Sequence, residues 1–420
     1  MRKYIFFVIV SVFFFLNGFS QNDKNQSLEV ERDDTSNIVP PDYERAVEDM
    51  MNDWLMSRMI IQKCHRDAAM PVYYDDSVYI RRLQQLPYRI EMPYNSIVRS
   101  FIDRYARNIR QVEYMAGLGE HYYFQIFEHA LAKYDLPLEL KYLPIIESAL
   151  NSRAISRAGA GGLWQFMVAT GRIYGLEVNS LVDDRSDPVK SSEAAARYLR
   201  DLYNIYCDWH LVIAAYNCGP GNVARAIRNA GGKTNYWAIY PYLPRETRGY
   251  VPIFIAANYI MNFYQHHNMC PATPPFVQVT DTINVTQRIH LEQIANVLSI
   301  PIEELRFLNP QYKQDIIPGN IKPYSLVLPM KQVSAFSVNL DSIIAFRANE
   351  LTAKQVLVEP SGKPNPGTQS SGGITYYKVV DGDTLAKIAS KFKTTIAQIK
   401  QWNGLKKDYI YVGQRLKIYK

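Results

Sequence analysis

Glu147 closes the apolar run Leu143-Pro144-Ile145-Ile146, and no Asp or Glu follows it until Glu177. A glycosidic oxygen leaves poorly unless it is protonated, so cleaving its bond needs a carboxylic acid whose pKa is raised by apolar neighbours. Leu143, Ile145, Ile146, Ala149 and Leu150 are such neighbours. One acid in front of an acid-free run fits a single general acid/base and argues against a pair of catalytic carboxylates. A sugar that carries its own 6-hydroxyl and 2-acetamido group can supply the missing nucleophile itself. By spacing alone, a buried Glu paired with an arginine fits Glu147 equally. Asp183, Asp184, Asp187 and Glu193 are also close enough in sequence to fold back and complete a carboxylate pair.

The residues after Glu147 have two readings each. The loop Ser156–Gly162 (SRAGAGG) suits close backbone approach to a flat polymer, or a tight entry into a helix. Trp164, Gln165 and Met167 fall on an expected helix start, where an amide can bind an acetamido group and a ring or thioether can face a sugar, or where all three are core. Tyr216-Asn217 ends an apolar helix ahead of Cys218-Gly219-Pro220-Gly221, as a cap and turn or as part of a cleft. His266-His267 has no further histidine at ligand spacing, so neither a metal nor a cofactor is expected.

The elements that must position these residues belong to a chain of 420 residues with 47% apolar content, enough for several cores. Arg2-Lys3, an apolar run from Tyr4 to Leu16 and small residues at Gly18 and Ser20 read as a secretory signal over 1–20, with an uncleaved anchor as the alternative. Residues 21–42 are polar and end near Pro40-Pro41, as a disordered leader does. Helical periodicity runs through an N-terminal region, 43–120, and a denser block, 121–270, in which Pro144 breaks the chain just before Glu147 and Asp187-Pro188 caps a helix. No Cys precedes Cys64, so the lipid-modified cysteine of a lipoprotein is missing. Cys64, Cys207, Cys218 and Cys270 allow one or two disulfides or buried free thiols. The net charge of +7 suits an anionic polymer such as a cell wall, and no basic cluster with interleaved aromatics points to nucleic acid.

Beyond Pro271, Pro274 and Pro275 the period changes. At a constant displacement of 94 residues, Leu291, Ile294, Ala295, Ile302, Leu305 and Asn309 fall on Leu385, Ile388, Ala389, Ile396, Ile399 and Asn403. Two copies of one module follow, at 280–329 and 375–419, separated in part by a Gly/Pro/Ser-rich linker, 359–373. Each copy reads as strand, helix, helix, strand.

The segments IIESALN, AISRAGAGGLWQFMVATGRIYGL, DDRSDPVKSSEAAARYL, DWHLVIAAYNCGPGNVARAI and LPRETRGYVP, in this order, resemble the cell-wall lytic transglycosylases of the membrane-bound murein transglycosylase D type. The resemblance implies a mainly α protein: a goose-lysozyme-like helical catalytic domain followed by small α+β (βααβ) LysM modules. It implies Glu147 as sole general acid/base, Ser148 and Ser156 in the site wall, Gln165 and Met167 at acetamido-sugar subsites, and Tyr216, Asn217 and Tyr250 at the muramyl residue. Cys218 stands where that family usually has alanine. The C-terminal copy resembles a LysM module, which implies glycan contacts at Gly382, Asp383, Thr384, Tyr409, Ile410 and Tyr411. Arg288, Ile289 and His290 replace the first three in the earlier copy, which is therefore degenerate. The expectation is an exported, monomeric enzyme of the periplasm or cell envelope, peripheral to the membrane at most, that cleaves the β-1,4 bond between N-acetylmuramic acid and N-acetylglucosamine in peptidoglycan strands and leaves a 1,6-anhydro end. A lysozyme-type hydrolase and a non-catalytic wall-binding scaffold are the rivals.

Overall fold

The computed structural model describes residues 60–61, 70–87, 89–275, 279–352, 368–371, 374–379, 383–392, 394–405, 410 and 414–419. The expected signal (1–20) and leader (21–42), together with Cys64, Gly382, Tyr409 and Tyr411, lie outside them.

The helical block is built from helices α1 (Asp76–Gln85), α2 (Ser96–Arg107), α3 (Ile109–Leu118), α4 (Phe124–Lys133), α5 (Leu143–Ser148), α6 (Val168–Ile173), α7 (Pro188–Tyr206), α8 (Trp209–Cys218), α9 (Pro220–Asn229) and α10 (Tyr250–Phe263). Helix α10 is apolar on all sides and buried along nearly its whole length, which makes it the central helix of the domain. Helices α2, α5 and α8 pack on it. Polar side chains set the helix starts: Asn95 accepts from the Val98 amide, Asp208 from Leu211, and Asp187 from Val189 and Lys190 ahead of Pro188. A two-residue ladder, Ile60–Ile61 with Ala272–Thr273, crosses α3 at Gly117, where any Cβ would sit 1.7 Å from the Ala272 carbonyl oxygen.

The first module contains β1 (Thr280–Val285), β2 (Arg288–His290), α11 (Leu291–Leu298), α12 (Ile302–Leu308), β3 (Ile316–Pro318) and β4 (Tyr324–Pro329), with β1 antiparallel to β4 and β2 to β3. Its core continues past 329 into helices α13 (Met330–Val338) and α14 (Leu340–Ala345), which contribute Phe336 and Ile343. In the second module β5 (Thr368–Ser371), β6 (Ile374–Lys378) and β7 (Arg415–Tyr419) form one antiparallel sheet beside α15 (Leu385–Lys391) and α16 (Ile396–Asn403). The helices of both copies begin at the residues the repeat pairs, Leu291 with Leu385 and Ile302 with Ile396. The linker expected over 359–373 includes strand β5, which extends the second module's sheet.

No described helix is long and apolar enough to cross a membrane. Cys270 is disulfide-bonded, whereas Cys207 and Cys218 are free thiols.

Candidate active site

Pro144 sits in the first turn of α5, a helix of only six residues, and Glu147 lies in its last turn. The helix stops because Ala149 and Leu150 both adopt positive φ, 48° and 61°, with their amides returned to the carbonyls of Ile145 and Pro144. Left-handed backbone costs roughly 1 kcal/mol or more for each non-glycine residue, so this abrupt stop is held by its surroundings. Its effect is to leave the Glu147 side chain projecting from a helix end into a cleft of about 730 Å³.

Burial raises the Glu147 pKa to about 7, against the opposing pull of a hydrogen bond donated by the Tyr250 hydroxyl to Oε1. A carboxylic acid held near neutrality can give up a proton and take one back in the same cycle. The alternative of an ionic pair with arginine does not hold: Tyr250 is the partner the structure supplies.

The four acids of 183–193 do not complete a carboxylate pair. Asp183 is buried against Arg185, Asp184 pairs with Lys190, Asp187 caps α7 and Glu193 pairs with Lys133. None of the four lines the cleft. One carboxylate that sequence reasoning passed over does: Glu246, exposed on the short helical turn Arg245–Arg248. Its place inside LPRETRGYVP, beside Tyr250, was the available signal.

The wall opposite is the loop 154–167, which departs from the expected form. Gln165 is not on a helix start: it takes φ 48° within a turn, and α6 begins only at Val168. Its amide nitrogen donates to the carbonyls of Gly162 and Ala154, at 2.8 and 3.2 Å. That leaves its carbonyl oxygen as an acceptor in the cleft. Two of the loop's glycines, Gly161 and Gly162, pack against Arg185, whereas a Cβ at Gly159 would meet nothing within 4 Å. Gly162, at φ 80°, leaves no room for a Cβ, which would stand 1.7 Å from the Arg185 carbonyl oxygen. Met167 is 46% exposed in the cleft, so it is not core. Trp164 lines the cleft yet is almost wholly buried, with Nε1 donating to Ser192 Oγ at 2.9 Å.

Ser156, Tyr216, Asn217 and Tyr250 all reach the same cleft. The Tyr216 hydroxyl donates to the Trp164 carbonyl at 2.8 Å, and burial, with the charge of Glu147 adding to it, holds its pKa well above the usual value. Asn217 Oδ1 accepts from Thr247 Oγ1 at 2.9 Å. Ser148 does not stand in the site wall where it was expected. Its hydroxyl is fully buried behind Glu147, facing the Pro144 and Leu163 carbonyls at 3.0 and 2.9 Å, so it ties α5 to the loop rather than lining the wall.

In the second module, the side chains of Asp383 and Ile410 face inward. Asp383 accepts from the Tyr377 hydroxyl at 2.7 Å and Ile410 belongs to the core, while Thr384 caps α15. Among the described residues no group of His, Cys, Asp or Glu could hold a metal ion.

Three family models match the chain: the transglycosylase SLT domain over residues 124–239, the LysM-like domain of lytic transglycosylase MltD over 279–345, and the LysM domain over 377–418. The membrane-bound lytic murein transglycosylase D of Escherichia coli K12 is 29% identical over 334 residues, which are 79% of this chain and 70% of that protein. An autolysin of Enterococcus faecalis is 46% identical over 63 residues, 14% of this chain and 8% of that one. Among solved structures, the 70-kDa soluble lytic transglycosylase of E. coli overlaps 34% of this chain and 24% of its own at 27% identity, with a TM-score of 0.31. The match thus spans about a quarter of that enzyme.

Proposed function

We infer that this chain is a peptidoglycan lytic transglycosylase with the domain order of the murein transglycosylase D type. Glu147 protonates the glycosidic oxygen between N-acetylmuramic acid and N-acetylglucosamine, and the bond from that oxygen to the muramyl C1 breaks. The resulting carboxylate then takes the proton of the muramyl 6-hydroxyl as its oxygen bonds to C1, closing the 1,6-anhydro ring and restoring the acid. Proton and electron balance is complete without water.

The observation that carries this reading is Glu147 itself, raised to about 7 in a cleft where the acids of 177–193 are occupied elsewhere. Tyr250 steers the proton by donating to the carboxylate. Gln165 offers an acceptor to an acetamido N–H, Met167 and Ser156 complete that wall, and Tyr216 and Asn217 border the muramyl side. The LysM copy at 375–419 holds the enzyme on glycan strands. Export to the cell envelope, action as a monomer and peripheral membrane contact at most belong to the same reading. Digestion of purified sacculi by wild type and by Glu147→Gln tests it: release of soluble muropeptides by the wild type alone is expected, and equal release by both would remove the role given to Glu147.

A further inference from the structure

We propose that the first LysM-like module braces the catalytic cleft, with Asp183 and Arg185 as the positioning residues that carry its hold to the wall opposite Glu147. Two side-chain exchanges join the module to the helical domain. Leu181 and Val182, from the loop before α7, lie in the module's core with Tyr312 and Ile316. Phe307 and Leu308, from α12, lie in the catalytic core, with the Phe307 ring 5.1 Å from Tyr122. Backbone pairing locks the seam. The Asp183 amide donates to the Gln311 carbonyl at 2.9 Å and the Lys313 amide to the Leu181 carbonyl at 2.8 Å. Tyr324 and Lys322 add bonds to the Glu177 carboxylate at 2.8 and 2.7 Å.

From this seam the contacts run straight to the cleft. Asp183 grips Arg185 through both carboxylate oxygens, at 2.9 and 2.8 Å, and both residues are buried. Arg185 Nη1 then donates to the carbonyls of Gly159 and Phe166, at 2.8 and 2.9 Å. These two carbonyls flank the segment between Ala160 and Gln165, whose side chains line the cleft. Buried guanidinium groups with paired acceptors fix planar geometry, which lysine cannot copy. A module seated by core exchange and main-chain pairing is not a mobile tether, so tethering is left to the second copy.

The test uses the full chain and hydrogen exchange followed by peptide mass spectrometry, together with kinetics on a short soluble glycan. In Arg185→Lys, and to a smaller degree in the seam double variant Tyr324→Phe/Lys322→Ala, amides of 156–166 are expected to exchange faster while α10 keeps its protection. KM for the short glycan should rise, about tenfold in Arg185→Lys, with the pH profile of kcat unmoved because Glu147 and Tyr250 stay in place. If Arg185→Lys fails to fold, the seam double variant carries the test alone. Wild-type exchange over 156–166 in a variant whose 177–183 segment has loosened would overturn the brace, as would a loosened wall with unchanged KM. The exchange measurement needs no turnover, so it stands even where the proposed activity fails.

Discussion

The Tyr250 hydroxyl, at the first turn of α10, donates to Oε1 of Glu147, at the last turn of α5. The most buried helix of the domain thus holds a cleft carboxylate whose environment suits proton transfer. Burial pushes that acid up and the tyrosine pulls it down, and the balance lies at about 7.

Removing the tyrosine's hydroxyl should therefore free the upward push. In Tyr250→Phe the carboxylate loses a donor worth about 1.5 kcal/mol or more, so its pKa rises by about one unit. In the proposed mechanism protonated Glu147 is the active form, so the alkaline limb of kcat should move to higher pH. A pH profile of kcat for both proteins checks this; an unmoved limb would show that Tyr250 does not hold the acid.

The same balance gives a stability prediction. The folded pKa, about 7, lies above the unfolded value near 4.5, so folding favours the protonated form. The carboxylate costs nothing at low pH, and the cost grows as pH rises from about 4.5 to 7, where it levels off at up to about 3 kcal/mol. Glu147→Gln keeps an acceptor for Tyr250 and never ionises. It should melt higher than wild type at pH 8 and at the same temperature at pH 4, a difference that thermal unfolding at the two pH values will read.

The second LysM copy should matter for the polymer alone. Deleting residues 353–420 is expected to raise KM on intact sacculi by roughly tenfold or more, through lost effective concentration, while leaving KM on a short soluble glycan unchanged. Equal losses on both substrates would mean that the copy supports the catalytic domain's fold.

Much of this was legible in the sequence. Helical periodicity, Asp187-Pro188 and the 94-residue register gave the elements and their starts, because caps and apolar spacing are local properties. Glu147 stood out through its neighbours. What stayed hidden depends on contacts distant in sequence: that Ser148 turns inward, that Gly162 makes room for the Arg185 backbone, and that Asp383 serves Tyr377. Nothing local marks Leu181 and Val182 as core, since their partners lie about 130 residues further on. Glu246 was visible but carried no apolar context to mark it.

Mass spectrometry of the muropeptide ends released from sacculi tests the central claim most directly. The account predicts muramyl ends one water lighter than reducing ends, in the 1,6-anhydro form, released by wild type and absent with Glu147→Gln. Reducing muramyl ends without anhydro ends would contradict it, and would mean that water attacks C1 in this cleft.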